Sequence, residues 1–109
     1  MDNISIDTVV PNGEVAVHRI IKDSVAIGSV VICVYDDYIE ALYIFVEPKH
    51  RSKGYAQKLV KYLQENYDYI VTGWHSSETA GRELFLKMGF KLRKKMFKGR
   101  TTNLEWKKL

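Results

Sequence analysis

The sequence predicts a mixed α+β domain on one mostly antiparallel central sheet, with elements in the order β-β-β-β-α-β-α-β-β and two main helices. Three observations predict it. Residues 3–46 hold four runs rich in β-branched residues, separated by short turn signals. Two later segments carry apolar residues at helical spacing. Strand texture returns between and after those segments, ending in two runs that suit a hairpin.

The first run, "NISIDTVV", alternates Ile4, Ile6 and Thr8 and reads as a strand. Pro11–Gly13 is a turn signal, and Glu14 to Ile21 forms the second strand. Lys22-Asp23 makes a tight connection to a long third strand, "SVAIGSVVICVY". Asp36-Asp37 turns the chain into the fourth, Tyr38 to Val46, so these strands read as a meander of hairpins. In "GYAQKLVKYLQENY" the residues Ala56, Leu59, Val60, Leu63 and Tyr67 mark one apolar helical face. Asp68 to Trp74 is the fifth strand. "SSETAGRELFLKMG" is a second helix, with Ser77 suited to its cap, Glu78 to its first turn and Gly89 to its stop. "FKLRKKMF" and "TTNLEWKKL" form the last hairpin, turned at Lys98-Gly99.

Bulk properties narrow the class. The 109 residues suit a single domain spanning 1–109, able to bury roughly 65% of the unfolded surface. Cys33 stands alone in an apolar run, so no disulfide framework exists within one chain, and it reads as a small buried hydrophobe. No run approaches the ~18 apolar residues of a membrane helix. The acidic start "MDNISIDTVV" is not expected to act as a signal peptide. A reducing, cytoplasmic setting is expected, with a monomer or homodimer. The net charge of +4 is uneven: residues 1–90 carry nine basic and twelve acidic side chains, whereas residues 91–109 carry eight basic side chains and Glu105. Such a field favours anionic partners.

One stretch concentrates chemistry. In "VEPKHRSKGYA" a strand ends, Pro48 stops it, and Lys49, His50, Arg51 and Lys53 precede Gly54, which opens a helix. A glycine there allows close backbone approach. First-turn N–H groups and the helix dipole suit a pyrophosphate. On spacing alone, a solvated basic loop before an ordinary helix remains open.

The same stretch resembles the acyl-CoA pyrophosphate signature of the GNAT superfamily of N-acetyltransferases. Arg51, Gly54 and Ala56 stand at the three positions of its Arg/Gln-x-x-Gly-x-Gly/Ala motif. Downstream, "ELFLKMGF" is similar to the second-helix signature Leu-Tyr-x-Lys-x-Gly-Phe, with Leu84, Lys87, Gly89 and Phe90 matching. The resemblance covers Tyr38 to about Trp106. It implies that the fourth and fifth strands splay and that acetyl-CoA, as co-substrate, fills the gap. Ile44, Phe45 and Val46 would line its pantetheine arm. Arg51, Ser52, Lys53, Gly54, Tyr55 and Ala56 would hold its pyrophosphate. An amine would then attack the thioester directly.

Glu40 lies eleven residues before Arg51, at an offset where some protein-acetylating members carry a general base. Strict alternation groups Glu40 with Leu42, Ile44 and Val46; a solvated strand-end glutamate is the bland reading. The chain departs from the family at the tyrosine that protonates the leaving thiolate, which is Phe85 here; without a proton to give, Phe85 is expected only to contact the cofactor. Tyr43, Tyr55, His75 and Ser76 are alternative donors, with His75 on the acceptor side. A second departure is the connection from Thr8 to Glu14, which has room only for a turn where the family inserts two helices. The acceptor side should be open, favouring a protein lysine or N-terminus over a small molecule.

Two other readings stand beside this one. A catalytically degenerate relative would bind CoA or a partner through its basic surface. A nucleic-acid module would use the basic hairpin with Phe97 and Trp106, a reading disfavoured by the acidic balance of residues 1–90. The histidines and Cys33 show no metal-ligand spacing.

Overall fold

The computed structural model describes residues 3–73, 79–92 and 103–109. The strands are β1 (Ile4–Asn12), β2 (Val15–Lys22), β3 (Val25–Val34), β4 (Ile39–Val46), β5 (Tyr69–Gly73), β6 (Lys91–Leu92) and β7 (Asn103–Lys107). Helix α1 (Tyr55–Asn66) joins β4 to β5, and α2 (Thr79–Lys87) lies between β5 and β6. The strands form one sheet in the order β1-β2-β3-β4-β5-β7-β6. Every pairing is antiparallel except β4 with β5, which α1 makes possible by carrying the chain back across the sheet. The predicted element order holds. The expected cap residues Ser77 and Glu78, the candidate donors His75 and Ser76, and the hairpin turn Lys98-Gly99 with Phe97 lie outside the described residues.

Local chemistry explains the hairpins. β1 runs on to Asn12, and Asn12 Oδ1 accepts from the backbone N–H groups of Glu14 (2.9 Å) and Val15 (3.1 Å). This side chain closes the turn, so β1 passes into β2 through Gly13-Glu14 alone. Between β2 and β3, Asp23 and Ser24 take left-handed φ values of 49° and 70°. Two such residues in succession match the twist of a tight hairpin.

Register assigns the two faces. Paired residues share a side of the sheet, so Ala16, His18 and Ile20 of β2 lie with Gly28, Val30 and Ile32 of β3. α1 covers this side with Tyr55, Leu59, Val60 and Leu63, all buried. Phe85 of α2, Phe90 and Leu104 complete the core, and Gln64 of α1 donates to the carbonyl of Met88 (2.8 Å), tying the ends of the two helices together. A fully buried leucine such as Leu59 or Leu63 contributes about 1.5–3 kcal/mol by transfer from water.

Three register shifts disturb simple alternation, the first between Val9 and Asn12 of β1. Ile27 is the extra residue between the pairs Ile20–Gly28 and Ile21–Ala26. Leu42 is the extra residue between Ile32–Ala41 and Val31–Tyr43. The bulge at Leu42 corrects the expected grouping of Glu40. It does not share a face with Ile44 and Val46. Through its pairing with Cys33, it lies on the side of Tyr43 and Phe45, opposite the helices. Cys33, expected to be buried, is only half-buried there.

Candidate active site

The site grows from the single parallel pairing. β4 and β5 are in register only over Ile39–Ile70, Glu40–Val71 and Ala41–Thr72. The Thr72 hydroxyl donates to the Ala41 carbonyl (2.9 Å) and clamps the last point of contact. Among the described residues β5 runs to Gly73, while β4 continues from Leu42 to Val46 with no ladder partner from β5. The Leu42 bulge sits at the point of divergence, where extra local twist turns one strand from the other. The two strands therefore enclose a wedge whose β4 wall is five residues, roughly 16 Å, long.

The loop after β4 closes the wide end. Pro48–His50 forms a short 3-10 turn. Ser52 and Gly54 then take left-handed φ values of 63° and 86°, bending the chain into the start of α1. The first intrahelical bond from this end runs from Lys58 N to Gly54 O (3.1 Å), and no side chain caps the helix. The N–H groups of Tyr55, Ala56 and Gln57 are thus the orphan donors of the first turn, at the positive end of the helix dipole. A Cβ built on Gly54 meets no atom within 4 Å, so open space lies against the backbone there.

A cleft of about 360 Å³ occupies this region. Of the residues expected to contact a cofactor, Ile44, Phe45, Val46, Arg51, Ser52, Gly54, Tyr55 and Ala56 line it. Lys53 and Phe85 are not among the lining residues. Phe85 is 1% exposed and packs edge-on against Phe90 in the core. Its helix instead presents Gly81 and Leu84 to the cleft. His50 and Gln57 also line the cleft, although sequence reasoning gave neither a site role. His50 falls in the basic cluster, which was the available signal.

The electrostatics favour an anion. Lys49, Arg51 and Lys53 come from the loop, and Lys22 from the end of β2 reaches over the Tyr55 ring, 5.8 Å from its centre. Arg51 Nε donates to the Val46 carbonyl (2.7 Å), and its guanidinium lies over Phe45 at 5.4 Å. This fixes the charge beside the wedge. His50 is held below the ordinary histidine value, chiefly by burial and then by Lys22, Lys49 and Lys53, with Glu47 opposing. Its Nδ1 is buried without a hydrogen-bond partner.

The remaining candidates fall around the narrow end. Glu40 is 7% exposed, on the face away from the helices, one residue before the Ala41–Thr72 clamp. Tyr43 is 56% exposed on the same face, stacked near Phe45. Tyr55 is buried at the loop end, against His50. Among the described residues, no group of three or more His, Cys, Asp or Glu is placed to hold a metal ion.

The profile of the Acetyltransferase (GNAT) domain matches residues 12–92 of this sequence. No curated protein matches it. Several solved structures share the fold. A GNAT family acetyltransferase from Elizabethkingia anophelis, determined with acetyl-CoA bound, superposes with a TM-score of 0.76 at 18% identity, covering 98% of this chain and 99% of that one. The PaiA N-acetyltransferase of Thermoplasma acidophilum, in complex with coenzyme A, gives 0.73 at 18% identity, with this chain 86% covered and spanning 61% of that protein. The ribosomal-protein-S18-alanine N-acetyltransferase of Escherichia coli gives 0.68 at 14% identity, over 86% of this chain and 68% of its own.

Proposed function

The chain belongs to the GNAT family of acetyltransferases, and on that premise we propose that it transfers an acetyl group from acetyl-CoA to a primary amine of a polypeptide. The observation that carries the cofactor half is the wedge between β4 and β5 ending on an uncapped, glycine-opened helix. Its shape and charge fit an acyl-CoA. The edge of Leu42–Val46, which no described residue of β5 pairs, offers backbone partners to an amide-bearing arm. The N–H groups of Tyr55 to Gln57 and the Arg51 guanidinium offer donors to a pyrophosphate. Two solved relatives of the same fold carry CoA or acetyl-CoA.

The chemistry is direct transfer. The amine nitrogen attacks the thioester carbonyl, the carbon–sulfur bond breaks, and the CoA thiolate leaves. A lysine ammonium, with a pKa of about 10.4, must first lose a proton. Glu40 is the proposed base, working through a water at the narrow end of the wedge. The rest of the acceleration comes from holding the two reactants together. A thiol pKa of about 8.5 makes the thiolate a tolerable leaving group without a proton donor at Phe85.

The acceptor half rests on the passage of β1 into β2 through Gly13-Glu14. No helix separates these strands, so none from this connection stands over the sheet face that carries Val17, Val31 and Tyr43 to enclose a small amine. A polypeptide brings its own bulk to such a surface. One of the structural relatives carries a protein acceptor in its name, the alanine of ribosomal protein S18. The burial of Phe85 in the core favours a second reading, a relative that binds acetyl-CoA without turnover.

Incubation with isotopically heavy acetyl-CoA separates the two readings. Mass spectrometry of lysine peptides, intact proteins and small amines should show enzyme-dependent heavy acetyl on peptide or protein amines. Label confined to small amines would overturn the acceptor assignment. Binding of acetyl-CoA without transfer to any acceptor would favour the second reading.

A further inference from the structure

The sheet face opposite the helices carries an apolar row. Register aligns Val9 with Val17, Val17 with Val31, and Val31 with Tyr43. One side chain from each of β1, β2, β3 and β4 therefore stands in a line across the strands. Val9 is 42% exposed, Tyr43 is 56% exposed, and Val17 and Val31 are half-buried. Both α1 and α2 pack on the other face. The row ends at Tyr43, directly beyond the Leu42 bulge, where β4 leaves β5. Resting on the proposed function, we infer that this row is the docking track of the acceptor. It selects polypeptide segments with aliphatic side chains close to the acceptor amine.

Three features fix the occupant. The track is continuous with the wedge, so whatever lies on it delivers its next residues to the thioester. Its dimensions fit an extended segment. Four strands about 4.8 Å apart span roughly 14 Å, the length of about four extended residues. Because successive side chains alternate, about two of those residues would face the track. The charges beside it suit a cationic amine. Cys33 and Glu40 form the next row toward the turns, where Glu14, Asp36 and Asp37 add negative charge. On the other border the Arg19–Asp7 ion pair is internally neutral, and the Arg51 guanidinium lies over Phe45. The negative charge is thus at the Glu40 end of the track, where it attracts a lysine side chain.

The test uses paired heptapeptides, each with one central lysine flanked by either valine and alanine or serine and glycine. Burial of two small aliphatic side chains predicts a kcat/KM about ten- to hundredfold higher for the apolar peptide, expressed mainly in KM. The variant Val17→Thr/Val31→Thr keeps shape and β-propensity while making the track polar. It should lose most of that preference and keep wild-type affinity for acetyl-CoA by calorimetry. Val31→Glu alone should disfavour the apolar peptide further. Equal kcat/KM for the two peptides, or full preference in the double variant, overturns the inference and leaves the acetyltransferase reading intact. A concentration-dependent dimer in sedimentation that the double variant abolishes would assign the face to a second copy and also overturn it. Failure of wild type to bind acetyl-CoA removes the underlying reading and this inference with it.

Discussion

Replacing Gly54 by alanine isolates the contribution of backbone approach to cofactor binding. Gly54 has a φ of 86°, a region that costs an L side chain about 1–2 kcal/mol. A Cβ there meets no protein atom within 4 Å, so this strain is the whole structural cost. The reduced freedom of the unfolded chain returns part of it, leaving about 1 kcal/mol, or roughly 4–8 °C in Tm. Gly89 is a matched control. Its φ is 92°, and an added Cβ would lie 3.8 Å from Trp106 Cδ1, an ordinary contact. Gly89→Ala should lose similar stability at a position outside the cleft lining. The variants should part company in binding. The methyl group at Gly54 fills the space against the first-turn donors, and losing two charge-assisted hydrogen bonds at about 1.5–3 kcal/mol each weakens binding at least about 100-fold. Calorimetric titration with acetyl-CoA, paired with thermal melts, reads both quantities. Binding to Gly54→Ala within about threefold of Gly89→Ala would refute the placement of the pyrophosphate.

Glu40→Gln keeps the shape of the side chain but cannot accept a proton. The acetylation rate should fall by about 10²–10⁴-fold, with the deficit shrinking as pH rises, and a pH–rate profile equal to wild type would remove Glu40 from the mechanism. Burial holds the His18 imidazole below its ordinary value, so folding favours its neutral form. That stabilisation is complete above about pH 6.5 and is lost as pH falls through the folded value. Tm should therefore drop between pH 7 and 5, and His18→Phe should flatten the drop; an unchanged slope would contradict this origin. Thr72→Val removes the clamp on the Ala41 carbonyl and should cost about 1–3 kcal/mol in denaturant unfolding. A variant as stable as wild type would show that the strand pairing alone sets the start of the wedge.

Much of the fold was legible because its signals are local. Runs such as Val25–Val34 read as strands, and the face of Leu59, Val60 and Leu63 reads as a helix, whatever surrounds them. The site loop was legible for the same reason, since a left-handed residue before a helix calls for glycine. The bulge at Leu42 was not. Which residue is extra depends on how β4 pairs with β3 and where it parts from β5, and neither is written in the neighbouring residues. That single residue moved Glu40 to the face opposite Ile44. The structure also places Phe85 in the core, since a helix position one residue from the motif leucine faces inward, while Leu84 and Gly81 face the cleft. The His18 arrangement left a faint signal. His18 alternates with Ala16 and Ile20, both buried, and a polar side chain in that series needs partners. It finds the Thr8 hydroxyl at 2.8 Å and the Tyr67 hydroxyl at 2.9 Å.

The central claim is that an acyl-CoA lies in the wedge between β4 and β5. Backbone hydrogen exchange with and without saturating acetyl-CoA tests it most directly. Added protection should appear in Leu42–Val46 and in Arg51–Gln57, while β1 and β2 exchange as before. Protection confined to other elements, or exchange in β4 and the loop unchanged at saturating acetyl-CoA, would contradict the account.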